Sequence, residues 1–390
     1  MIKIIKGAKV YAPEYLGVKD IVIANNKIEG IYDDLKIPVD FLDIDVIPAM
    51  GKIVVPGFVD SHVHIIGGGG EGSFRTRTPE ISISSLIEAG ITSVVGCIGT
   101  DSVCRDMRTL IAKVYALEEE GMSAYCYTGS YEVPIRKVLT HSVKEDIVLV
   151  DKIIGVGEIA LSDHRSSQGT YQDFLSVIAD ARVGGLLSGK GGVVNVHLGA
   201  GARMMNYIFK MIDESEVPAE QLLPTHVNRS TKLMNEGLKL IKKGGYVDLT
   251  TSSNPEFLNE DEFRAGEGLK YLLDKGACID KITFSSDGNG SMPVFDEKGN
   301  LMGLGIGLVG TLLREVKYSI KRGIGIEDAI KVITSNPAKV LGLKAKGRIA
   351  IGMDADIVIL EKESLDVDTV FAMGKAVRIN GKNIVKGTFE

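Results

Sequence analysis

Four histidines and two carboxylates lie where runs of apolar residues end, and their types suit metal chemistry. The first run closes on His62-Val63-His64. The other members of the set are Glu158 in KIIGVGEIAL, His197 in VVNVHLG, His226 in LLPTHVN and Asp287 in KITFSSDG. Residues two apart on a strand point to the same face, so the first two imidazoles would share a direction. The chain has only 6 histidines, so four at such ends form a specific pattern.

These ligands are more than one tetrahedral metal ion takes. They suit two divalent ions that share a carboxylate and a hydroxide. Imidazole and carboxylate ligands without thiolate favour Zn²⁺, which Mn²⁺, Co²⁺ or Ni²⁺ could replace in vitro. Any one of these histidines taken alone is more often structural than a ligand, so the prediction depends on the whole set. We expect two Zn²⁺ ions per subunit.

Eight short apolar runs, alternating with longer amphipathic stretches, must position these residues. The runs are GFVDSHVHI, ITSVVGC, SAYCYTGSY, KIIGVGEIAL, VVNVHLG, LLPTHVN, YVDLTTS and KITFSSDG. The alternation is typical of an α/β fold, and eight repeats favour a TIM-like (β/α)8 barrel over an open doubly wound sheet. Helices are expected over residues 103–120 and 169–187 and from residue 304 onward. Active sites of such barrels lie at the carboxyl ends of the strands, where the candidate ligands stand.

The two ends of the chain differ from the middle. Both hold short strand-like runs separated by turns such as Asn25-Asn26 and Asn380-Gly381. We expect one small β-sandwich domain made of residues 1–55 plus 345–390. The metal-binding barrel then takes residues 56–344.

Composition excludes several classes of partner. The net charge of −6 argues against nucleic acid and against an anionic membrane surface. The 4 cysteines form no C-x-x-C pair and no disulfide framework. Together with the lack of a signal-like apolar segment and of a membrane-spanning run, this favours the cytoplasm.

Several motifs resemble the amidohydrolase superfamily, and finer ones its isoaspartyl dipeptidases. The superfamily pattern is FVDSHVH followed by His197, His226 and Asp287, with GMDADIVIL at 352–360. The finer blocks are HVHIIGGGGEG with Glu71, GTDS at 99–102, YTGSYEVP with Tyr131, SDHRSS with Arg165, LLPTHVNR with Arg229 and SSDGNGS with Ser291. They occur in order along nearly the whole chain, which makes the resemblance far more specific than the H-x-H pair.

The resemblance implies hydrolysis of β-aspartyl dipeptides by a metallopeptidase. Such a substrate carries one ammonium and two carboxylates, and Glu71 would bind the ammonium. Arg165 and Arg229, with forked donors, would bind the carboxylates. Gly69, Thr100 and Ser291 would line the pocket. Without these blocks, Glu71 and the two arginines would be ordinary surface charges.

The same resemblance implies the roles of the reacting groups. Tyr131 would donate a hydrogen bond to the amide carbonyl oxygen as charge develops there. A hydroxide between the metals would attack, and Asp287 would take its proton and pass it to the leaving amine. Without these blocks, a packed core residue would be the favoured interpretation of Tyr131.

The fourth strand departs from the family pattern. The best-known isoaspartyl dipeptidases carry a carboxylated lysine there, and it bridges the two metals. Here that position falls on Glu158 when counted back from SDHR and on Gly157 when counted forward from IIGV. We expect Glu158 to replace the carbamate as the bridge, with an extra residue absorbed in a bulge that Gly157 eases. The alternative is an ion pair between Glu158 and Arg165 beside a single metal.

Two other functions stay open at this point. One keeps the fold and acts on a cyclic amide, as dihydroorotases and hydantoinases do, although such rings lack a free ammonium. The other is a non-catalytic relative, which an intact ligand set with Asp287 disfavours. The resemblance also implies a homo-oligomer, with an octamer among the forms expected.

Overall fold

The structure is a computed structural model that describes residues 2–37, 43–252, 261–295 and 301–390. The amino-terminal strands are β1 (Ile2–Tyr11), β2 (Tyr15–Ala24), β3 (Lys27–Tyr32), β4 (Ile44–Pro48) and β5 (Ile53–Pro56). The central elements are β6 (Phe58–Val63), α1 (Ile83–Glu88), β7 (Ile91–Gly96), α2 (Met107–Glu119), β8 (Ser123–Thr128), α3 (Val143–Leu149), β9 (Ile153–Leu161), α4 (Tyr171–Ser188), β10 (Val193–Leu198), α5 (Asn206–Glu214), β11 (Leu222–Thr225), α6 (Thr231–Lys242), β12 (Val247–Thr250), α7 (Ala265–Asp274) and β13 (Ile282–Ser285).

The last part of the chain adds a hairpin, three helices and a group of strands. They are β14 (Ser291–Phe295), β15 (Leu301–Ile306), α8 (Thr311–Lys321), α9 (Ile326–Lys331), α10 (Ser335–Val340), β16 (Ile357–Leu360), β17 (Val367–Ala372), β18 (Lys375–Ile379) and β19 (Lys382–Asn383). The helix expected from residue 304 begins only at Thr311, because glycines at 305, 307 and 310 disfavour a helix. Residues 301–306 instead form the second strand of the β14–β15 hairpin.

Each of the eight predicted runs contains a strand, β6 to β13, and a helix precedes every strand after the first. Strands β6 to β11 form one parallel sheet in sequential order, and β12 and β13 form a parallel pair. Val63 forms an isolated parallel bridge with Gly288, and the Ser286 N–H donates to Asp60, so the end of β13 lies beside β6. The strands are buried along almost their whole length, as expected for parallel strands covered by helices.

Both chain ends join one nine-stranded mixed sheet. Its order is β19-β18-β17-β16-β5-β1-β2-β3, and β4 pairs with β1. Strand β5 connects the two ends, since it runs parallel to β1 and antiparallel to β16. A separate apolar cluster, which includes Ile5, Ile21, Ile357 and Phe371, packs against this sheet. The first and last segments of the chain are therefore held together.

Among the described residues, no helix combines the length and the apolar composition needed to cross a membrane.

Candidate active site

The six predicted ligands come together at the carboxyl ends of the parallel strands. His62 ends β6 with Val63, and His64 follows directly, while Glu158 and His197 lie inside β9 and β10. His226 and Asp287 follow β11 and β13 by one and two residues. The latter two have φ values of 62° and 50°, in the left-handed region that non-glycine residues rarely adopt. Parallel strands place these sequence-distant groups at one edge.

Glu158 lies at the centre of the cluster and is only 1% exposed. Its Oε1 lies 3.3 Å from His64 Nε2. Its Oε2 lies 3.4 Å from His62 Nε2, 3.1 Å from His197 Nδ1 and 3.9 Å from His226 Nε2. The two oxygens therefore face different imidazoles, so one carboxylate is common to two groups of candidate ligands.

Asp287 lies beside the first histidine pair. Its Oδ1 lies 3.1 Å from His64 Nε2 and 3.6 Å from His62 Nε2. Its side chain is 17% exposed, against 2% for that of Glu158. Asp287 therefore borders both the buried imidazoles and the open cleft.

Hydrogen bonds on the outer side of two imidazoles fix which nitrogen faces Glu158. His226 Nδ1 lies 2.6 Å from Thr250 Oγ1, which leaves Nε2 to point inward. His197 Nε2 lies 2.9 Å from Asp163 Oδ2, which leaves Nδ1 to point inward. Metal-binding histidines are commonly held in this way by a second hydrogen bond.

The electrostatics of the cluster favour added positive charge. Burial opposes protonation of His62 and His64, but the acidic groups around them, first Cys97, raise the pKa of both rings well above the usual value. Burial likewise opposes ionisation of Glu158, but the His62 imidazole and a hydrogen bond with His197 hold the pKa of this carboxyl well below its usual range. The raised pKa values of the two imidazoles mean that positive charge is stabilised at this point, and the lowered pKa of Glu158 means that its carboxylate stays ionised beside them.

The donor set also fits metal ions. Within the described parts of the chain, neither ring nitrogen of His62 has a hydrogen-bond partner, and neither has Nε2 of His226. Buried polar atoms without partners are costly, so these nitrogens need a ligand. Two groupings of the described side chains could each hold an ion: His62, His64, Cys97 and Glu158, and Glu158, His197 and His226.

A bulge in β9 brings Glu158 to this position. Val156 pairs with Val194 and Ile159 with Val196, so β9 carries one more residue than β10 across this interval. Gly157 has φ 155°, and a Cβ atom there would lie 2.8 Å from Asn195 Cβ. The predicted extra residue is therefore present as a bulge, and glycine is the residue that its close packing admits.

We expect Gly157→Ala to destabilise the fold by about 1–3 kcal/mol, because the methyl group has no room against Asn195. Displacement of the bulge should also lower the number of metal ions bound per chain. Thermal unfolding and metal analysis of the purified variant measure both effects. Gly325→Ala is the matched control, since nothing lies within 4 Å of an added Cβ there. Wild-type stability and metal content in Gly157→Ala would refute the role given to the bulge.

Glu71 lies at the rim of the cluster with the residues predicted to accompany it. Its Oε1 accepts from Thr100 Oγ1 at 3.1 Å and from Arg165 Nη1 at 3.3 Å, and its Oε2 accepts from Ser291 Oγ at 2.9 Å. A Cβ atom on Gly69 would lie 3.1 Å from Ser291 Cβ, so this glycine packs directly on Ser291. The structure thus brings these five predicted residues together.

Arg165 is held in place by a carboxylate that sequence reasoning missed. Asp163 accepts from Arg165 Nη2 at 2.8 Å and from Arg165 Nε at 3.0 Å, and the same Asp163 carboxylate contacts His197. Within the described residues, the ion pairs of Arg165 are with Asp163 and Glu71, and those of Glu158 are with imidazoles. The contact between Glu158 and Arg165 considered from the sequence is not among them.

Arg229 and Tyr131 also lie beside His197. Arg229 Nη1 donates to Leu198 O at 2.7 Å and lies 3.2 Å from His197 Nε2. The Tyr131 hydroxyl lies 2.9 Å from His197 Nδ1, and its side chain is buried. Arg165 Nη2 lies 3.4 Å from the same His197 Nε2, so two guanidinium groups and a phenol contact the His197 imidazole.

The predicted ligands other than His62 line one cleft of about 1260 Å³, together with Glu71, Tyr131, Arg165 and Arg229. Arg105 shapes one wall, because its guanidinium donates to the carbonyls of Ile66, Gly68 and Gly69 at 3.2, 2.8 and 3.3 Å. Sequence reasoning missed Arg105, and no spacing signal points to it. It also missed Cys97, although this residue directly follows β7 and so stands at a strand end like the predicted ligands.

Comparison with known proteins places this site in a family context. Residues 53–377 match the model of the amidohydrolase family. A crystal structure of β-aspartyl dipeptidase from Fervidobacterium islandicum AW-1, in complex with β-Asp-Leu, is 44% identical, with a TM-score of 0.93 and coverage of 98% of this chain and 97% of that one. Dihydroorotase from Acetivibrio thermocellus is 26% identical over 92% of this chain and 89% of its own length. Dihydropyrimidinase from Brevibacillus agri, at 17% identity and a TM-score of 0.68, covers 99% of this chain and 97% of its own and shares the fold.

Proposed function

The chain belongs to the amidohydrolase family, and within it to the β-aspartyl dipeptidases, and from this premise we propose that it hydrolyses β-aspartyl (isoaspartyl) dipeptides. One observation carries the proposal: the carboxylate of Glu71 and the guanidinium groups of Arg165 and Arg229 face the same cleft as the imidazole–carboxylate cluster. A β-aspartyl dipeptide presents one ammonium and two carboxylates around its scissile amide. The charges of the cleft complement those of this substrate.

The metal centre is proposed to hold two Zn²⁺ ions. His62, His64 and Asp287 would hold one, His197 and His226 the other, and Glu158 would bridge them in place of a carboxylated lysine. Bound zinc would lower the pKa of a water molecule and polarise the amide carbonyl. Oε1 of Glu158 faces His64 and Oε2 faces His197, and this arrangement supports the bridge.

The charged residues of the cleft bind and orient the dipeptide. Glu71 accepts hydrogen bonds from the substrate ammonium, in place of part of its present set with Thr100 and Ser291. Arg165, fixed by Asp163, and Arg229 offer paired N–H donors to the two carboxylates. Gly69, Thr100 and Ser291 complete the wall beside the ammonium.

Asp287 and Tyr131 act on the scissile amide. Asp287 borders both the imidazoles and the cleft, so its carboxylate can take a proton from water and give it to the leaving amine. The Tyr131 hydroxyl donates to the carbonyl oxygen as negative charge develops there. Burial, the largest influence on this phenol, and the Glu158 charge raise the pKa of Tyr131 well above its usual value, so it keeps its proton for this purpose.

A panel of four substrates separates this function from its alternatives. Zinc-loaded protein is incubated with β-Asp-Leu, α-Asp-Leu, dihydroorotate and hydantoin, and products are quantified by mass spectrometry. We expect turnover of β-Asp-Leu. Only this compound has an ammonium and two carboxylates around a scissile amide that runs through the β-carbonyl, since α-Asp-Leu places the amide at the α-carbonyl and the rings lack a free ammonium. Turnover of the rings alone would favour the cyclic amidohydrolase, and no turnover at full metal content would favour a non-catalytic relative.

The closed barrel, the terminal domain, the cellular location and the oligomeric state are also proposals. We propose that β6 to β13 close into a (β/α)8 barrel over residues 56–344, supported by the Val63–Gly288 bridge. Residues 1–55 and 345–390 would form a β-sandwich domain, supported by their shared sheet and separate apolar cluster. We also propose that the protein is cytoplasmic and forms a homo-oligomer, with an octamer among the forms expected. It is proposed to bind neither nucleic acid nor a membrane.

Replacement of Arg229 by lysine tests the proposed carboxylate contact. A single ammonium replaces a forked guanidinium poorly, so we expect kcat/KM on β-Asp-Leu to fall by about 10- to 100-fold, mostly through KM. Steady-state kinetics measure this. The control is Arg322→Lys, a half-exposed arginine outside the cleft. Catalytic efficiency near that of wild type would show that Arg229 does not bind the substrate.

Removal of the Tyr131 hydroxyl tests its proposed donation. We expect Tyr131→Phe to lower kcat on β-Asp-Leu by about 10²–10³-fold, the effect of losing one donor to a developing oxyanion. KM should change little, because the hydrogen bond strengthens in the transition state. Tyr171→Phe, on the outer helix α4, is the control. An unchanged kcat in Tyr131→Phe would leave Tyr131 as a packing residue.

A further inference from the structure

Cys97 is buried beside the first histidine pair. It follows the last residue of β7, and its side chain is inaccessible to solvent. Its Sγ lies 3.9 Å from His64 Nδ1 and 3.7 Å from Val63 O. One ligand atom each of His62, His64, Cys97 and Glu158 can be chosen so that all lie within 4.8 Å of one another.

We propose that Cys97 supplies a thiolate ligand to the ion held by His62 and His64. The inference builds on the proposed function in requiring a metal centre, but it is independent of the substrate. On binding, the sulfhydryl proton passes to solvent and a sulfur–metal bond forms. The ligand set is then mixed imidazole, carboxylate and thiolate, rather than nitrogen and oxygen alone as the sequence led us to expect.

The surroundings of Cys97 support a ligand rather than a packing role. The ring nitrogens of its neighbour His62 have no hydrogen-bond partner among the described residues, so unpaired ligand atoms converge here. Its contacts to His64 and Val63 are long, as for a weak thiol hydrogen bond. The other buried cysteine, Cys126, lies inside β8 and belongs to neither candidate metal group.

A thiolate changes which ions this centre should prefer. Sulfur ligands favour Zn²⁺ and softer ions such as Cd²⁺ over Mn²⁺ and Mg²⁺. A third anionic ligand beside Glu158 and Asp287 also balances more of the charge of two divalent ions. Cys97 thus makes the centre selective for zinc-like metals.

Cobalt substitution tests the proposal by absorption spectroscopy. The full chain is freed of metal with a chelator and reloaded with Co²⁺. We expect a near-ultraviolet sulfur-to-cobalt charge-transfer band in wild type and in Cys126→Ser, and its loss in Cys97→Ser. A wild-type spectrum without this band, or a band retained in Cys97→Ser, would overturn the proposal.

X-ray absorption at the zinc edge is measured on the wild-type protein, so this second test does not depend on whether Cys97→Ser folds. Zinc-loaded wild type should show a sulfur neighbour at about 2.3 Å. Only nitrogen and oxygen neighbours would refute the thiolate ligand. Turnover of β-Asp-Leu is measured on the same sample: sulfur ligation without turnover would count against the proposed function alone, and turnover without sulfur against the Cys97 proposal alone.

Discussion

Glu158→Gln is expected to bind fewer than two zinc ions per chain and to lose about 10³-fold in kcat/KM on β-Asp-Leu. A carboxylate offers an oxygen to each of two ions, whereas the glutamine amide has a single carbonyl oxygen and no charge. Loss of one ion removes several kcal/mol of transition-state stabilisation, and each 1.4 kcal/mol is about tenfold in rate. Plasma emission spectroscopy gives the metal content and steady-state kinetics give the rate.

The matched control is Glu118→Gln. Glu118 lies in α2, is half-exposed and pairs with Lys152, the residue just before β9, and it does not line the cleft. We expect this control to keep two ions and full activity. Two zinc ions per chain in Glu158→Gln would exclude Glu158 as the bridge.

Asp287→Asn is expected to lower kcat on β-Asp-Leu by about 10²–10⁴-fold, because an amide cannot accept and return a proton. KM should stay within a few-fold of wild type, since Asp287 is not among the groups proposed to bind the charges of the substrate. The acid limb of the kcat profile should also change, since it reports the ionisation of the residue that moves the proton.

The metal content of the variant must be measured in the same experiment, because Asp287 lies 3.1 Å from His64 and is also a proposed metal ligand. The exposed Asp280 provides the control in Asp280→Asn. A kcat within tenfold of wild type in fully metal-loaded Asp287→Asn would show that another group moves the proton.

The strands and the six predicted metal ligands could be predicted from the sequence for one physical reason. Buried parallel strands are continuous apolar runs, so β6 to β13 stand out, and their carboxyl ends share an edge. The helix of residues 103–120 was predicted within a few residues of its observed span, Met107–Glu119, where the side chain of Asp106 caps the first turn.

The register at Glu158 could not be fixed by counting. Two alignments of β9 differed by one residue, and the choice depends on how β9 pairs with β10 around Asn195. That pairing is a tertiary contact. Only the structure shows that the extra residue forms a bulge and that the Glu158 carboxylate, rather than Gly157, faces the imidazoles.

Residues that orient other residues were also beyond sequence reasoning. Asp163 and Thr250 fix the rings of His197 and His226. Arg105 holds the loop of Gly68 and Gly69 through hydrogen bonds to their carbonyl oxygens. Their roles follow from directions and distances across different strands, which no spacing along the chain encodes. Cys97 differs, since a search of strand ends that included cysteine would have found it.

Anomalous diffraction from zinc-loaded crystals tests most directly whether Glu158 joins two metal ions in a peptidase site. Data collected on both sides of the zinc edge locate the ions without reference to the protein. We predict two peaks per chain, with one Glu158 oxygen coordinated to each and the histidines divided as proposed. A single peak, or two peaks that leave Glu158 bound to only one of them, would contradict the bridge.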